Sequence, residues 1–295
     1  MKQYKVCGSV FESDTQEEKK VKVIGIIPAR YQSSRFPGKP LAEICGHPMI
    51  WWVYQQAKKV EGLEEVLVAT DSEKIYHTCQ ELNMDVLMTK DSHPTGTDRL
   101  GEAARFIKAD FFVNIQGDEP LIEPAVIQKV IDYKIKHPEV EIINTMASLK
   151  ENQDAKEVSL VKAAAAENGD LLYLSRAPIP GSKKGGAVSY KRHLGLYGLS
   201  QEALLFFSQT ERGILECMED IEMLRFLEHG RSIKMIEVVS DSIGVDLPED
   251  ILRVEDAIKR GKDVHIGADL SEGIVKGEAA IKQWKEEGKG RIENV

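Results

Sequence analysis

One segment of the sequence, residues 30–41 (RYQSSRFPGKPL), combines cations with a glycine in a way that suits an anionic ligand. Arg30, Arg35 and Lys39 supply positive charge, and Gly38 allows backbone amides to approach phosphate oxygens closely. A Walker A loop is excluded, because a proline follows Gly38-Lys39 and no earlier glycine has the required spacing. The segment therefore predicts a phosphate-binding loop, with a basic surface loop as the alternative.

Two acidic segments, 116–120 (QGDEP) and 244–250 (GVDLPED), each come after a predicted strand. Mg²⁺ prefers oxygen ligands and needs only one or two carboxylates when substrate phosphates complete its shell. Asp118 and Asp246 are therefore candidate metal ligands, provided that the fold brings them together. The alternative is structural: Asp118 or Glu119, and likewise Asp246, caps the helix that follows.

A third segment, 191–199 (KRHLGLYGL), is predicted to be a strand. His193 and Tyr197 share one face of a strand with a period of two, beside the cations Lys191 and Arg192. Such side chains suit a pocket for an anionic or polyhydroxyl ligand. Because a single histidine is more often structural than catalytic, a purely structural role for His193 is the alternative.

In a fourth segment, 92–100 (SHPTGTDRL), a predicted helix begins with residues that suit a base or a phosphate, namely Gly96, Thr97 and Arg99. The sequence contains no Ser-His-Asp order, no HExxH motif and no GxSxG motif. Hydrolase chemistry is therefore not expected, and the candidate groups are those that bind and orient an anion.

The elements that must position these segments alternate between strand and helix in the first half of the chain. Strands are predicted at residues 21–27, 65–69, 85–88 and 111–115, and helices at 48–60, 73–82, 97–107 and 124–135. This alternation predicts a doubly wound parallel sheet with helices on its faces. Ligands in such sheets bind beyond the carboxyl ends of the strands, so the segments that follow strands are expected to form the site.

The second half of the chain departs from that alternation. Strands joined by turns are predicted at 158–166, 171–174 and 190–199, which indicates a β-rich excursion over residues 158–199 with a hairpin at its centre. A Gly-rich loop is predicted at 181–186, and helices, a strand and a last helix follow at 201–208, 216–229, 233–238 and 248–260. Gly230 is expected to end the second of these helices.

Composition limits the class of protein. The 295 residues carry a net charge of -9, which argues against nucleic acid as the main partner. A negative total charge still allows a local cationic pocket for a small anion. The four cysteines have no paired spacing, which suits a reducing cytoplasm better than a disulfide framework or a zinc site. No stretch is apolar enough to serve as a signal peptide or to insert into a membrane. The sequence therefore predicts a cytoplasmic α/β protein.

Taken together, the motifs resemble those of the 3-deoxy-manno-octulosonate cytidylyltransferase (CMP-Kdo synthetase) family over residues 21–260. They occur in the family's order: IPARYQSSRFPGKPL from Ile27, ATD from Ala69, GTDRL from Gly96, NIQGDEPLI from Asn114, SRAPIP from Ser175, RHLGLYG from Arg192, IEMLRFLEHG from Ile221 and VDLPED from Val245. The resemblance implies a glycosyltransferase-A-like (Rossmann-like) fold, with a mostly parallel mixed sheet flanked by helices. It also implies a homodimer that uses part of the excursion.

The implied reaction joins CTP to a 2-keto-3-deoxy sugar acid, giving a CMP-sugar and diphosphate for the synthesis of lipopolysaccharide-type glycans. In that family Arg30 and Lys39 would hold the triphosphate, and Asp118 and Asp246 would hold Mg²⁺, so Lys39, Arg30 and Asp118 are the expected catalytic residues. The nucleotide would lie among Ala29, Arg30, Lys39, Ala69, Asp71, Gly96, Thr97 and Arg99. The sugar acid would contact Gln116, Arg176, His193, Tyr197 and Glu222, with Arg176 as partner of its carboxylate.

Three departures from the family pattern fall where the sugar is expected. Residues 181–183 (GSK) replace an aromatic and a basic residue, Met223 replaces a glutamine, and Leu247 replaces a threonine. Alternatives to Kdo therefore stay open: 8-amino-Kdo or another sugar acid, or a phosphorylated or phosphonate acceptor. A silent nucleotide-binding relative is disfavoured, because Lys39 and the two aspartates are kept. Residues 1–20 and 261–295 are expected to be extensions, the latter with an amphipathic helix near 278–287.

Overall fold

The computed structural model of the chain describes residues 21–33, 35–150, 153–183 and 188–261. In chain order the strands are β1 (Val23–Ala29), β2 (Glu43–Ile44), β3 (His47–Pro48), β4 (Glu65–Thr70), β5 (Val86–Met88), β6 (Phe111–Asn114), β7 (Ile142–Ser148), β8 (Lys162–Ala165), β9 (Leu171–Ser175), β10 (Lys191–Ser200) and β11 (Lys234–Glu237). The helices are α1 (Met49–Lys58), α2 (Glu73–Glu81), α3 (Gly96–Ala103), α4 (Pro124–Lys136), α5 (Gln201–Gln209), α6 (Ile214–Glu219), α7 (Leu224–Glu228) and α8 (Asp250–Lys259).

The main sheet is mixed and mostly parallel, in the order β11-β7-β10-β6-β1-β4-β5. β1 pairs in parallel with both β4 and β6, whereas β10 runs antiparallel to β6 and β7. The sequence of β1, VIGIIPA, is nearly continuous in apolar residues because helices cover both faces of a central strand. The predicted α/β fold with a mixed sheet is confirmed.

Alternate side chains of the strands pack into two cores on opposite faces of the sheet. In β6, Phe111 and Val113 face the core beneath α1 and α4, whereas Phe112 faces the core beneath α3 and α5. A smaller cluster around Trp52 joins α1 to α8. These packed layers hold the carboxyl ends of β1 and β6 in a fixed register.

The β-rich excursion is partly as predicted. β8 and β9 form an antiparallel hairpin, and its turn is closed at Gly169, whose φ of 87° lies in the left-handed region that glycine tolerates. However, the third predicted strand of the excursion, β10, belongs to the main sheet. Its partner β7 is missing from the sequence prediction, because the polar pair Asn144-Thr145 interrupts the apolar run even though both residues are buried.

The helix predicted over residues 216–229 is wrong as a single element. It divides into α6 and α7 at Asp220, which adopts a left-handed φ of 50°. Gly230, with a φ of 73°, follows the end of α7 as predicted. The predicted extensions at 1–20 and 261–295, including the helix at 278–287, lie outside the described residues apart from Gly261, and so does part of the loop at 181–186. No helix in the described ranges is long and apolar enough to cross a membrane.

A buried ionic network joins three helices around Arg225. Its guanidinium donates to both carboxylate oxygens of Glu216 at 2.7 Å and to Asp98 Oδ1 at 3.1 Å. Only 3% of the Arg225 side chain is exposed, and Glu216 is fully buried. The network holds α7 against α6 and against the first turn of α3.

Arg225→Met should destabilise the fold by about 3–5 kcal/mol, because Glu216 and Asp98 stay buried without the Arg225 cation and Glu216 keeps only Arg212, at 3.1 Å. Arg260→Met provides the matched control, since Arg260 is 74% exposed in its pair with Asp256 and its loss should cost no more than about 0.5 kcal/mol. The free energy of unfolding in urea measures both variants. Equal losses for the two would contradict a structural role for the buried network.

Candidate active site

A cleft of about 350 Å³ opens beyond the carboxyl ends of β1 and β6. Its position follows from the sheet, since the chain leaves β1 at Ala29 and β6 at Asn114 on the same edge. The cleft collects most of the residues that the sequence singled out. Among those lining it are Ala29, Arg30, Arg35, Lys39, Gly96, Arg99, Gln116, Asp118, Glu222 and Asp246.

The ammonium group of Lys39 lies at the centre of the acidic part of the cleft. It donates to Asp118 Oδ2 at 2.7 Å and to the Val245 carbonyl at 2.9 Å, and it lies 3.9 Å from Asp246 Oδ1. Arg35 donates to the same Asp246 oxygen at 2.9 Å. The two aspartates from distant parts of the chain therefore converge on one cation, as the metal hypothesis requires.

Two glycines let these loops come together. Gly38 has a φ of 72° and its N–H donates to the Tyr31 carbonyl at 2.8 Å, which turns the chain just before Lys39. Gly117 passes so close to β1 that a Cβ atom there would lie 2.9 Å from the Pro28 carbonyl oxygen. Asp118 is therefore brought directly beside the end of β1.

The alternative of helix capping is wrong for all three acidic residues considered. Helix α4 has Glu123 at its N-cap position, so neither Asp118 nor Glu119 caps it. Helix α8 begins at Asp250, whose Oδ2 accepts the backbone N–H groups of residues 246 and 247 at 3.0 Å. The side chain of Asp246 is thus left to face the cleft, where 52% of it is exposed.

The first turn of α3 already holds a carboxylate of the protein. Glu222 accepts the N–H groups of Gly96 at 3.2 Å and Thr97 at 3.1 Å, and it also contacts the Thr97 hydroxyl. Burial raises the pKa of Glu222 above its usual range, although these donors oppose the rise. Glu222 thus occupies the helix N-terminus that the resemblance gives to the nucleotide.

Of the remaining residues of the expected nucleotide set, Arg99 and Arg30 line the cleft, whereas Ala69 and Asp71 do not. Arg99 donates to Asp71 Oδ2 at 2.7 Å with only 3% of its side chain exposed, so the two form a buried ion pair. Ala69, on β4, is fully buried in the core on the α3 side of the sheet. Arg30, by contrast, is exposed at the rim.

Gln116 lines the cleft and begins a chain of contacts between four polar side chains, which runs from there into β10 and β7. Gln116 donates to the Tyr197 hydroxyl at 3.1 Å, and the Tyr197 ring stacks on His193 with a centroid separation of 6.0 Å. His193 Nε2 lies 2.7 Å from Asn144 Nδ2 on β7. Burial, with a contribution from the charge of Arg176, lowers the pKa of His193 to about 4, so the ring is neutral at physiological pH.

Sequence reasoning missed Asn144, because β7 itself was missed. The signal was available in the segment IINTMAS, where a buried strand carries a polar residue that must find a partner. Asn144 also accepts the Thr145 N–H at 2.6 Å. It therefore fixes the orientation of His193 from the neighbouring strand.

Two further residues expected near the sugar, like His193 and Tyr197, are not among those that line the cleft. The guanidinium of Arg176 donates to the carbonyls of Val158, Glu219 and Asp220. Met223 is fully buried in the core, so the expectation that its replacement of glutamine alters the pocket is wrong. Its neighbour Glu222 points the other way because the chain turns between α6 and α7.

Comparisons with known proteins agree with the geometry. Residues 24–233 match the cytidylyltransferase family. The 3-deoxy-manno-octulosonate cytidylyltransferase of Protochlamydia amoebophila is 40% identical over 242 residues, covering 79% of this chain and 93% of that protein. The enzyme of the same name from Geobacter metallireducens is 40% identical over 252 residues, covering 81% and 99%.

Solved structures give the same picture. The structure of CMP:2-keto-3-deoxy-manno-octonic acid synthetase complexed with CTP matches with a TM-score of 0.77 and 35% identity, covering 81% of this chain and 99% of that one. A putative glucose-1-phosphate thymidylyltransferase from Bacillus anthracis matches with a TM-score of 0.58 and 16% identity, covering 84% and 99%. The second likeness concerns the fold alone.

The buried, neutral state of His193 predicts a pH dependence of stability. Its pKa falls from 6.5 to about 4 on folding. Between pH 4 and pH 6.5, His193 is therefore protonated in the unfolded chain and neutral in the folded chain. Stability should therefore fall as the pH drops from 6.5 to 4, by up to about 3 kcal/mol from this residue.

His193→Gln should remove this contribution while keeping an amide that can contact Asn144. The difference in unfolding free energy between wild type and variant should shrink or reverse as the pH falls from 7 to 4. His77→Gln is the control, since His77 is 64% exposed and its replacement should change little across the range. A wild-type minus His193→Gln difference that is constant with pH would contradict a buried neutral histidine.

Proposed function

This chain belongs to the 3-deoxy-manno-octulosonate cytidylyltransferase family, and from that premise we propose how its cleft transfers a cytidylyl group from CTP to the sugar acid Kdo. The observation that carries the proposal is the convergence of Asp118 and Asp246 on Lys39 at the ends of β1 and β6. Arg30 and Arg35 add positive charge at the same edge. This arrangement suits a triphosphate that arrives with a divalent cation.

The proposed reaction needs no nucleophile from the protein. The anomeric hydroxyl of the sugar acid attacks the α-phosphorus of CTP, a new P–O bond forms, and the bond to the β-phosphate breaks. Diphosphate leaves, and the hydroxyl proton passes to solvent or to a nearby base. Such a displacement depends on alignment of the reactants and on neutralisation of the developing charge. The cleft supplies both through charged side chains on the loops that follow the strands.

We assign the triphosphate to Arg30 and Lys39. The Lys39 ammonium group donates hydrogen bonds to Asp118 and to the Val245 carbonyl, which hold it inside the cleft where the phosphates would bind. When the triphosphate binds, Lys39 would transfer donors to phosphate oxygens and help to neutralise the departing diphosphate. Arg30, exposed at the rim, has its guanidinium available for the same oxygens.

The donor set fits Mg²⁺ as an ion shared with the nucleotide. In the described part of the chain, no three acidic, histidine or cysteine side chains gather into a complete metal site. Asp118 and Asp246, with 34% and 52% of their side chains exposed, instead offer two carboxylates toward the cleft. Two carboxylates plus phosphate oxygens are a usual shell for Mg²⁺, which would supply charge neutralisation there.

We further propose that the nucleotide lies among residues of β1, the end of β4 and the first turn of α3, and that the sugar acid lies among residues of β10, residues that follow β6 and β9, and Glu222 before α7. The first set is Ala29, Ala69, Asp71, Gly96, Thr97 and Arg99, and the second is Gln116, Arg176, His193, Tyr197 and Glu222. Neutral His193 and Tyr197, joined to Gln116, would offer hydrogen bonds to sugar hydroxyls. For Arg176 to reach a carboxylate, it must exchange a carbonyl partner.

The remaining parts of the proposal extend what the family implies. Residues 21–260 would form the catalytic domain, with residues 158–199 serving the sugar and a homodimer. The chain would act in the cytoplasm, upstream of lipopolysaccharide-type glycan synthesis.

Release of diphosphate from CTP and Mg²⁺, measured with a panel of acceptors, tests this function. Release is expected with Kdo and not with CTP alone. Faster release with 8-amino-Kdo or another sugar acid would change the assigned sugar. Release only with a phosphorylated or phosphonate acceptor would contradict the proposal.

Asp118→Asn should lower turnover by about 100-fold or more, because a neutral amide replaces one of the two carboxylates that face the phosphates. Asp132→Asn, on the exposed side of α4, is the matched control and should leave the rate unchanged. Diphosphate release at saturating CTP and Mg²⁺ measures both. A near-native rate for Asp118→Asn would remove that residue from the catalytic set.

A further inference from the structure

The position of Asp246 depends on a segment with no regular structure. Residues 238–249 connect β11 to α8, and Asp246 lies near the end of this connection. Its side chain is half exposed, so packing does not fix it. The backbone of the segment must therefore be held by specific contacts if Asp246 is to face Asp118 across the cleft.

Asp250 holds the end of this segment at residues 246 and 247, and Glu123 holds its start. Oε1 of Glu123 accepts the Asp241 N–H at 2.7 Å, and its Oε2 accepts the Ser240 hydroxyl at 2.8 Å. Although Glu123 occupies the N-cap position of α4, its side chain makes no capping bond to that helix. Both carboxylate oxygens are instead used on the connecting segment, in short hydrogen bonds to an ionised acceptor.

Nearer to Asp246, a second contact joins the same segment to the loop after β6. The Val245 N–H donates to the Asp118 carbonyl at 2.9 Å. Arg192, on β10, donates from Nη2 to the Ser240 carbonyl at 3.1 Å. Because Asp118 and Glu123 belong to one short stretch of chain, the loop that carries the first carboxylate also holds the backbone of the second.

We propose that Glu123 is a positioning residue for Asp246, and that it sets the distance between the two carboxylates of the cleft. This rests on the proposed function, since it gives Asp246 its part in holding the metal–nucleotide complex. Displacements of about 0.5 Å are enough to impair a coordinating group. The Glu123 carboxylate accepts from both partners, whereas a glutamine amide could accept only one of them and would have to donate to the Ser240 hydroxyl, with the charge-assisted strength of both bonds lost.

Glu123→Gln should therefore loosen the segment and weaken metal binding. Hydrogen–deuterium exchange of peptides covering residues 240–246 should be faster than in the wild type. The dissociation constant of Mn²⁺ in the presence of CTP, measured by electron paramagnetic resonance, should rise by about 10–100-fold, as for other residues that orient metal ligands. Neither readout requires turnover.

Glu228→Gln is the matched control, because Glu228 is a second carboxylate that accepts two backbone donors, the N–H groups of Leu215 at 2.7 Å and Glu216 at 2.9 Å. It should speed exchange around α6 while leaving Mn²⁺ affinity within about twofold of the wild type. Ser240→Ala removes the hydroxyl partner of Glu123, together with the acceptor of the Ser242 N–H, and leaves the bond from the Asp241 N–H to Glu123. It should shift both readouts in the same direction by a smaller amount. It keeps the test decisive if Glu123→Gln fails to fold.

If hydrogen–deuterium exchange at residues 240–246 were unchanged in both Glu123→Gln and Ser240→Ala, Glu123 would not hold this segment. Faster exchange with unaltered Mn²⁺ affinity would overturn its role in positioning Asp246. If the wild type bound no Mn²⁺ with CTP, the proposed metal role would fall and with it the functional half of this inference. The exchange data would still decide separately whether Glu123 holds the segment.

Discussion

A single ammonium group between two carboxylates organises the cleft. Lys39 contacts Asp118 and Val245 and lies near Asp246, so three segments that are far apart in sequence meet on one charge. Without a cation between them, the two aspartates would repel each other at the edge of the sheet. Gly38 and Gly117 make the arrangement possible by allowing the backbone to turn and to pass close to β1. Most other features of the site either support this contact or lie beside it.

Carboxylates of the protein balance the positive charge of the cleft. Glu222 occupies the N-terminus of α3, and the two aspartates occupy Lys39 and Arg35. An incoming triphosphate and sugar carboxylate would therefore exchange partners with the protein's own carboxylates instead of filling unpaired cationic positions. This explains how a chain with a net charge of -9 can serve two anionic substrates. The acidic total describes the surface, whereas the balance inside the cleft is set residue by residue.

Much of the site could be predicted because strand ends determine where residues meet. Lys39, Asp118 and Gln116 follow buried parallel strands, and a period of two places His193 and Tyr197 together. Other features depend on partners that the sequence does not reveal. β7 was not predicted because the polar pair Asn144-Thr145 interrupts its apolar sequence. Asn144 can nevertheless be buried, since His193 and the Thr145 N–H are its hydrogen-bond partners.

Tertiary contacts explain the remaining errors. The predicted helix over 216–229 breaks where Glu222 turns to reach α3, and this turn sends Met223 into the core. Asp246 does not cap α8, because Glu249 occupies the N-cap position and the Asp250 carboxylate accepts the N–H groups of residues 246 and 247.

A crystal structure of the protein with CTP and Mg²⁺ would test the central claim most directly. We expect Lys39 Nζ to leave Asp118 for a phosphate oxygen at about 2.7–2.9 Å, and we expect Asp118 and Asp246 to coordinate the metal at about 2.0–2.1 Å. A triphosphate bound elsewhere, with Lys39 still joined to Asp118, would contradict that claim.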